Sequence, residues 1–90
     1  MTRRDKLRRR IEANPQNVRF EDLDQLLSSH GFQIRRSSGS HHVYQKGQFK
    51  VVVPYRRPHV LPVYVRLVLA TLEAMEKQER EEQVNGDAKY

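Results

Sequence analysis

Residues 32–54 read FQIRRSSGSHHVYQKGQFKVVVP, and the pattern of this stretch decides the fold. Apolar and polar side chains alternate over residues 32–36, as they do in a half-buried strand. Gly39 interrupts the pattern, which resumes over residues 40–45 as a second strand. A short hairpin connection then leads to a third strand over residues 49–53, which a proline ends. The stretch therefore predicts an antiparallel meander of three short strands.

A helix is predicted on each side of these strands. Before them Gly31 supplies a C-terminal stop, and the apolar residues at helical spacing are Phe20, Leu23, Leu26 and Leu27. After them Pro62 suits the first turn of a second helix, whose apolar face would consist of Val65, Val68, Leu69, Leu72 and Met75. The order α-β-β-β-α predicts an α+β fold, similar to that of double-stranded-RNA-binding domains (dsRBD-like). In this fold two helices cover one face of a three-stranded antiparallel sheet.

The other face of the sheet is expected to be open. Neighbouring residues of a strand point to opposite faces. In the second strand Tyr44 is the largest side chain, which predicts that its face is buried and that His41 lies on the open face. In the first strand, alternation places Ile34 and Arg36 on one face and Arg35 on the other.

Charge is distributed unevenly along the chain. Between Gln25 and Leu72 there is no aspartate or glutamate, although this segment holds all four histidines. The formal net charge of the chain is +6, and a surface with this balance attracts polyanions such as RNA. The basic residues of the acid-free segment are the candidate RNA contacts: Arg35, Arg36, Lys46, Lys50, Arg56, Arg57 and Arg66.

Length and composition limit the class of protein. The 90 residues suffice for one small domain, and the absence of cysteine excludes disulfides and thiolate metal sites. No apolar run approaches the ~18 residues of a membrane span, and the basic N-terminus does not lead into the apolar region of a secretory signal. We therefore expect a cytoplasmic protein that does not enter a membrane.

The flanks of the chain differ from its centre, and we expect three segments. Residues 1–17 form a basic N-terminal extension, in which Leu7 and Ile11 give a short helix a thin apolar stripe before a linker. Residues 18–78 form the α+β domain. Residues 79–90 form an acidic helix end and a C-terminal tail.

The segment Gly39-Ser40-His41-His42 is the strongest candidate for chemistry. RNA carries its own nucleophile, so one base close to a 2′-hydroxyl can start attack on the adjacent phosphate. Histidine suits this task because its unperturbed pKa is ~6.5, and a positioned acid or base typically contributes ~10²–10⁴-fold. Nearby cations can stabilise the charge that develops on phosphorus.

The other histidines and Ser40 have simpler interpretations. His42 is expected to be structural, and His59 to lie on the surface. His30 follows the first helix, where a positive charge would complement the helix dipole. Ser40 is expected to orient the backbone or bind phosphate, because no acid is available to complete a catalytic triad.

No metal is expected to take part. The acid-free segment lacks the oxygen ligands that a two-metal Mg²⁺ site requires. A zinc site made by His41, His42 and His59 remains a minor alternative, because adjacent histidines of a strand point apart.

Several of these motifs together resemble the HicA toxins of bacterial toxin–antitoxin systems, over roughly residues 18–75. The shared motifs are Asp22-Leu23-Asp24-Gln25-Leu26-Leu27, His30-Gly31-Phe32, Gly39-Ser40-His41-His42-Val43-Tyr44, Val51-Val52-Val53-Pro54 and Pro62-Val63-Tyr64-Val65-Arg66. The resemblance implies an mRNA interferase, an endoribonuclease that cleaves mRNA without a metal or other cofactor and is neutralised by a HicB-type antitoxin. It makes His41 the functional histidine, with Gly39, Ser40 and His42 in support.

Two alternatives to a ribonuclease remain. A non-catalytic RNA-binding module of dsRBD-like fold would hold RNA by shape and charge alone. A protein–protein adaptor would need an acidic partner to explain the basic core. Removal of His41 separates these hypotheses: an enzyme loses turnover and keeps RNA binding, a binding module has no turnover to lose, and an adaptor does not bind RNA.

Overall fold

The computed structural model describes residues 2–87, with the side chains of Ser38 and residues 83–87 left out. The helices are α1 (Arg3–Ala13), α2 (Phe20–Ser29) and α3 (Pro62–Asp87), and a short 3₁₀ turn, Pro15–Asn17, joins the first two. The strands are β1 (Gln33–Ser38), β2 (His41–Lys46) and β3 (Phe49–Pro54). Helix α2, the three strands and α3 confirm the predicted α-β-β-β-α order. The predicted tail beyond Asp87 lies outside the described residues.

The strands form one antiparallel sheet in the order β1-β2-β3. Each hairpin has a two-residue loop, Gly39–Ser40 in the first and Gly47–Gln48 in the second. The glycine comes first in both loops and has φ 59° and 57°, which is the pattern of a type II′ turn. These turns fix the register, so β2 begins at His41, one residue later than the sequence pattern predicts.

A bulge in β1 changes which side chains reach the open face. Ile34 lies opposite Tyr44, whereas Arg36 lies opposite Val43, so the strand contains one extra residue. Directly opposite residues share a face of the sheet. Arg36 therefore lies on the open face, and the prediction that it shares a face with Ile34 is wrong. Ile34 lies on the helix side but is 50% exposed, since α3 packs on β3, at the far edge of the sheet.

One apolar core lies between the sheet and the helices. From the sheet it receives Tyr44, Val51 and Val53, each at most 2% exposed. The predicted apolar faces of α2 and α3 are buried there, except that Leu69 is only partly buried.

Helix α1 packs against the other two helices. Leu7 and Ile11 belong to the same core, as their spacing predicts. Arg8 donates to Glu76 of α3 at 2.7 Å, and the bond to this carboxylate raises the pKa of Arg8. These contacts attach α1 to the rest of the domain. The division of the chain into three segments, with boundaries at residues 17 and 78, stays a prediction. Within the described part of the chain, no helix is long and apolar enough to cross a membrane.

Candidate functional site

His41 is the first residue of β2, the middle strand of the sheet. It lies opposite Ser38 of β1 and Pro54 of β3. Its side chain is exposed, whereas that of Tyr44, on the other face of the strand, is 1% exposed. The predicted orientation of β2 is therefore confirmed, with His41 at one end of the open face.

The backbone that precedes His41 is held by two donors. The carbonyl of Ser40 accepts a hydrogen bond from the backbone N–H of Tyr55 at 2.5 Å. The same carbonyl lies 3.3 Å from Nδ1 of His42, which donates to it in the tautomer that carries the proton on Nδ1. His42 points toward the helices, where its ring lies 4.7 Å from that of Phe20. The ring of His42 therefore lies on the opposite side of the strand from His41, and its supporting role stays a prediction.

Two cations lie on the open face of the sheet, and a third lies in the bulge of β1. Arg36 is opposite Val43, two residues along β2 from His41. Arg35, in the bulge, lines a cleft with Gln45 and Lys46, at the end of β2 away from His41. Lys50 is opposite Gln45.

Their distances from His41 differ. Gln45, opposite Lys50, is four residues from His41, which is about 13 Å along a strand at ~3.3 Å per residue. Among these three cations, Arg36 is therefore the nearest in register to His41.

Two further cations lie in the loop that follows Pro54. The guanidinium of Arg56 donates to the carbonyl of His59 at 3.2 Å. Nε of Arg57 donates to the hydroxyl of Tyr55, and the guanidinium carbon lies 5.7 Å from the centre of the tyrosine ring. The bond to Tyr55 raises the pKa of Arg57. Because Tyr55 also bonds to Ser40, this loop lies at the His41 end of the sheet.

The remaining two predicted RNA contacts lie elsewhere. Nζ of Lys46 donates to the carbonyl of His30 at 2.9 Å and lies 3.7 Å from a carboxylate oxygen of Glu79. Lys46 therefore turns toward the helices. Arg66 belongs to α3, in the helix layer. Of the seven predicted cations, Arg36, Arg56 and Arg57 thus lie toward the His41 end of the sheet. Lys50, Arg35 and Lys46 lie toward its other end, and Arg66 lies in the helix layer.

Arg19 is a cation of this region that the sequence did not single out. It is exposed beside Phe20, whose ring centre lies 5.1 Å from that of Tyr55. It lines one cleft together with Arg56 and Arg57. The only signal in the sequence was a positive charge directly before a helix, which by itself indicates no site.

The other histidines have distinct surroundings. His59 is half-buried in the loop. Among the residues whose side chains are described, no three of His, Asp and Glu lie close enough together to hold a metal ion, so the zinc alternative finds no ligand set there. Burial, followed by the charge of Arg4, lowers the pKa of His30. This shift favours a neutral imidazole, which does not fit the predicted role of a positive partner for the helix dipole.

Among the comparisons with known proteins, one gives a match to this chain. The family model described as "HicA toxin of bacterial toxin-antitoxin" matches residues 20–74. The match covers α2, the three strands and the first half of α3, and it includes Gly39-Ser40-His41-His42. No curated protein and no solved structure matches the chain significantly.

Proposed function

The chain belongs to the HicA family of toxins of bacterial toxin–antitoxin systems, and from this premise we propose that it cleaves mRNA with His41 as general acid/base. Toxins of this family are generally ribonucleases. The proposal makes the protein an endoribonuclease that acts in the cytoplasm, where translated mRNA is found.

The proposed reaction requires one proton-transfer group. Neutral His41 takes the proton of a ribose 2′-hydroxyl, and the oxygen forms a bond to the adjacent phosphorus. The bond from phosphorus to the 5′-oxygen breaks, and this oxygen receives a proton from the imidazolium or from solvent. The products are a 2′,3′-cyclic phosphate and a 5′-hydroxyl. Arg36, opposite Val43 on the same face, would stabilise the negative charge that builds up on the phosphoryl oxygens.

The observation that carries this proposal is the position of His41. Its exposed imidazole stands at the end of a sheet face that also presents Arg36 and Lys50, with Arg35 in the adjacent bulge. This face belongs to the segment without carboxylates, so an RNA strand meets no like charge on it. A base that is accessible beside phosphate-binding cations is the arrangement that cleavage by the 2′-hydroxyl requires.

The test compares His41→Ala with His59→Ala, a matched change in the same acid-free segment. Purified proteins are incubated with a single-stranded transcript in the presence of EDTA. We expect His41→Ala to lower the cleavage rate by at least ~10²-fold, in line with the loss of a general acid or base, with RNA affinity almost unchanged. We expect His59→Ala to retain activity.

Two outcomes would change the mechanism. Full activity of His41→Ala would remove His41 from the reaction. Loss of wild-type activity in EDTA alone would indicate a metal ion. RNA binding without cleavage by the wild-type protein would instead support the second candidate, a non-catalytic RNA-binding module, which the basic open face also fits.

A toxin of this family implies an antitoxin partner. We propose a HicB-type protein that places an acidic surface over the open face of the sheet and so covers His41. The apolar centre of this face, Val43 opposite Val52, has Arg36 and Lys50 as its neighbours. An apolar centre with a polar rim is typical of protein interfaces, and complementary charge would accelerate capture.

A further inference from the structure

A cleft at the N-terminal end of α2 is lined by Arg19, Arg56 and Arg57, together with Glu21 and Pro58. From it we infer a second RNA-binding site, a subsite for a backbone phosphate some nucleotides away from the bond that is cleaved. The inference rests on the proposed function, because it assigns the cleft to the same RNA substrate.

The cleft is close enough to His41 for one RNA strand to reach both. His41 lies opposite Pro54, and Arg57 follows Pro54 by three residues. A cross-strand step of ~5 Å and three residues of at most ~3.6 Å each limit the Cα distance from His41 to Arg57 to about 16 Å. The bond between Tyr55 and Ser40 fixes the loop at this end of the sheet. A few nucleotides of single-stranded RNA can span this distance.

The arginines of the cleft are partly held in place. Arg57 uses Nε to bind the hydroxyl of Tyr55 and lies against its ring, which in turn packs on Phe20. The terminal amino groups of Arg57 remain as donors. Arg56 is held by its bond to the carbonyl of His59. A guanidinium offers a phosphate two parallel donors, and less entropy is lost on binding when its position is already restricted.

The position of Arg19 is fixed through its backbone. Its N–H donates to the carboxylate of Asp22 at 3.0 Å, and its carbonyl accepts the first hydrogen bond of α2. The backbone is therefore tied to the helix start, while the side chain is exposed at the cleft. A phosphate between Arg19 and the loop would join two chain segments that are far apart in sequence.

Glu21 lines the same cleft and opposes an anion there. Three cations face this one carboxylate, so the balance still favours a phosphate. Removal of the Glu21 carboxylate should therefore strengthen RNA binding, whereas removal of a cleft arginine should weaken it. The two changes test the subsite in opposite directions.

The experiment measures binding of a labelled single-stranded RNA in a His41→Ala background, where the RNA is not cleaved. We expect Arg19→Gln to weaken binding at low salt for all RNA sequences tested and to reduce the slope of log affinity against log salt by ~0.7, the value of one phosphate contact on a single strand. Glu21→Gln should tighten binding. Arg80→Gln, an equal charge change at an exposed position of α3, should have no comparable effect. With His41 present, Arg19→Gln should raise KM and leave kcat nearly unchanged.

The outcomes separate this inference from the proposed function. An unchanged affinity and salt slope in Arg19→Gln, or weaker binding in Glu21→Gln, would overturn the subsite even if the protein cleaves RNA. A wild-type protein that binds RNA without cleaving it would contradict the ribonuclease, while the expected binding changes would still support the subsite. If Arg19→Gln weakened only capture by the antitoxin, the cleft would belong to a protein interface and the inference would be wrong.

Discussion

His30 lies at the end of α2, partly buried among charged groups from three other elements. Arg4 and Arg8 face it from α1, Lys46 from β2 and Glu76 from α3. Burial is the largest cause of its lowered pKa, and Arg4 is the next. No described group bonds its Nε2 atom, which is buried. Protonation of His30 would therefore place a poorly solvated charge beside three cations and one carboxylate.

This environment predicts a pH-dependent stability. The unfolded chain binds the proton near pH ~6.5, whereas the folded chain binds it only at lower pH. The free energy of unfolding should therefore be highest above this pH and fall as the pH decreases through it. Urea denaturation between pH 5 and 8 measures the effect. His30→Gln should flatten the pH dependence, and His59→Gln should not; an equal slope in His30→Gln and wild type would contradict the assignment.

At the scale of secondary-structure elements, the clearest prediction concerns α1. Ile11 is 1% exposed in the core shared with α2 and α3. Ile11→Ala should lower the free energy of unfolding by about 2–5 kcal/mol, as truncations of buried aliphatic side chains do. Lys6→Ala, at an exposed position of the same helix, is the control. Equal stabilities of the two variants in urea denaturation would show that α1 is only a loosely attached extension of residues 18–78.

The strands and turns also show which features of the fold could be predicted from the sequence. The three strands and the stop at Gly31 follow from local patterns: alternation, and glycines that adopt positive φ where the chain turns. The bulge in β1 does not follow from such patterns. Whether Arg35 or a neighbour is the extra residue depends on pairing with β2, and alternation within one strand contains no information about its partner.

The same limit applies to the candidate site. The position of His41 on the open face could be predicted because Tyr44, three residues later in the same strand, sets which face is buried. The cleft beside it combines Arg19 with Arg56 and Arg57, and only the packing of α2 against the end of the sheet brings these segments together. Lys46 shows the converse: its charge suggested an RNA contact, but its strand position turns it to His30 and Glu79.

At the scale of the whole molecule, the proposed complex with the antitoxin has a direct test. If an acidic partner covers the open face, His41 should react more slowly with diethyl pyrocarbonate in the complex than in the free protein. His59 serves as the internal reference, because it lies in the loop and not on the sheet. Mass spectrometry after co-expression with the product of the neighbouring gene measures both sites. A stable complex in which His41 stays as reactive as in the free protein would show that inhibition does not occur by occlusion.

The central position of β2 also has a consequence for how the proposed activity could be lost over time. The strand is hydrogen-bonded to a neighbour on each side, so its backbone is better protected against local opening than that of either edge strand. Fraying of the ends of α1 or α3 would leave His41 in place. A protease that removes only the frayed ends would therefore leave the proposed site intact, and loss of the proposed activity would require degradation of the folded core.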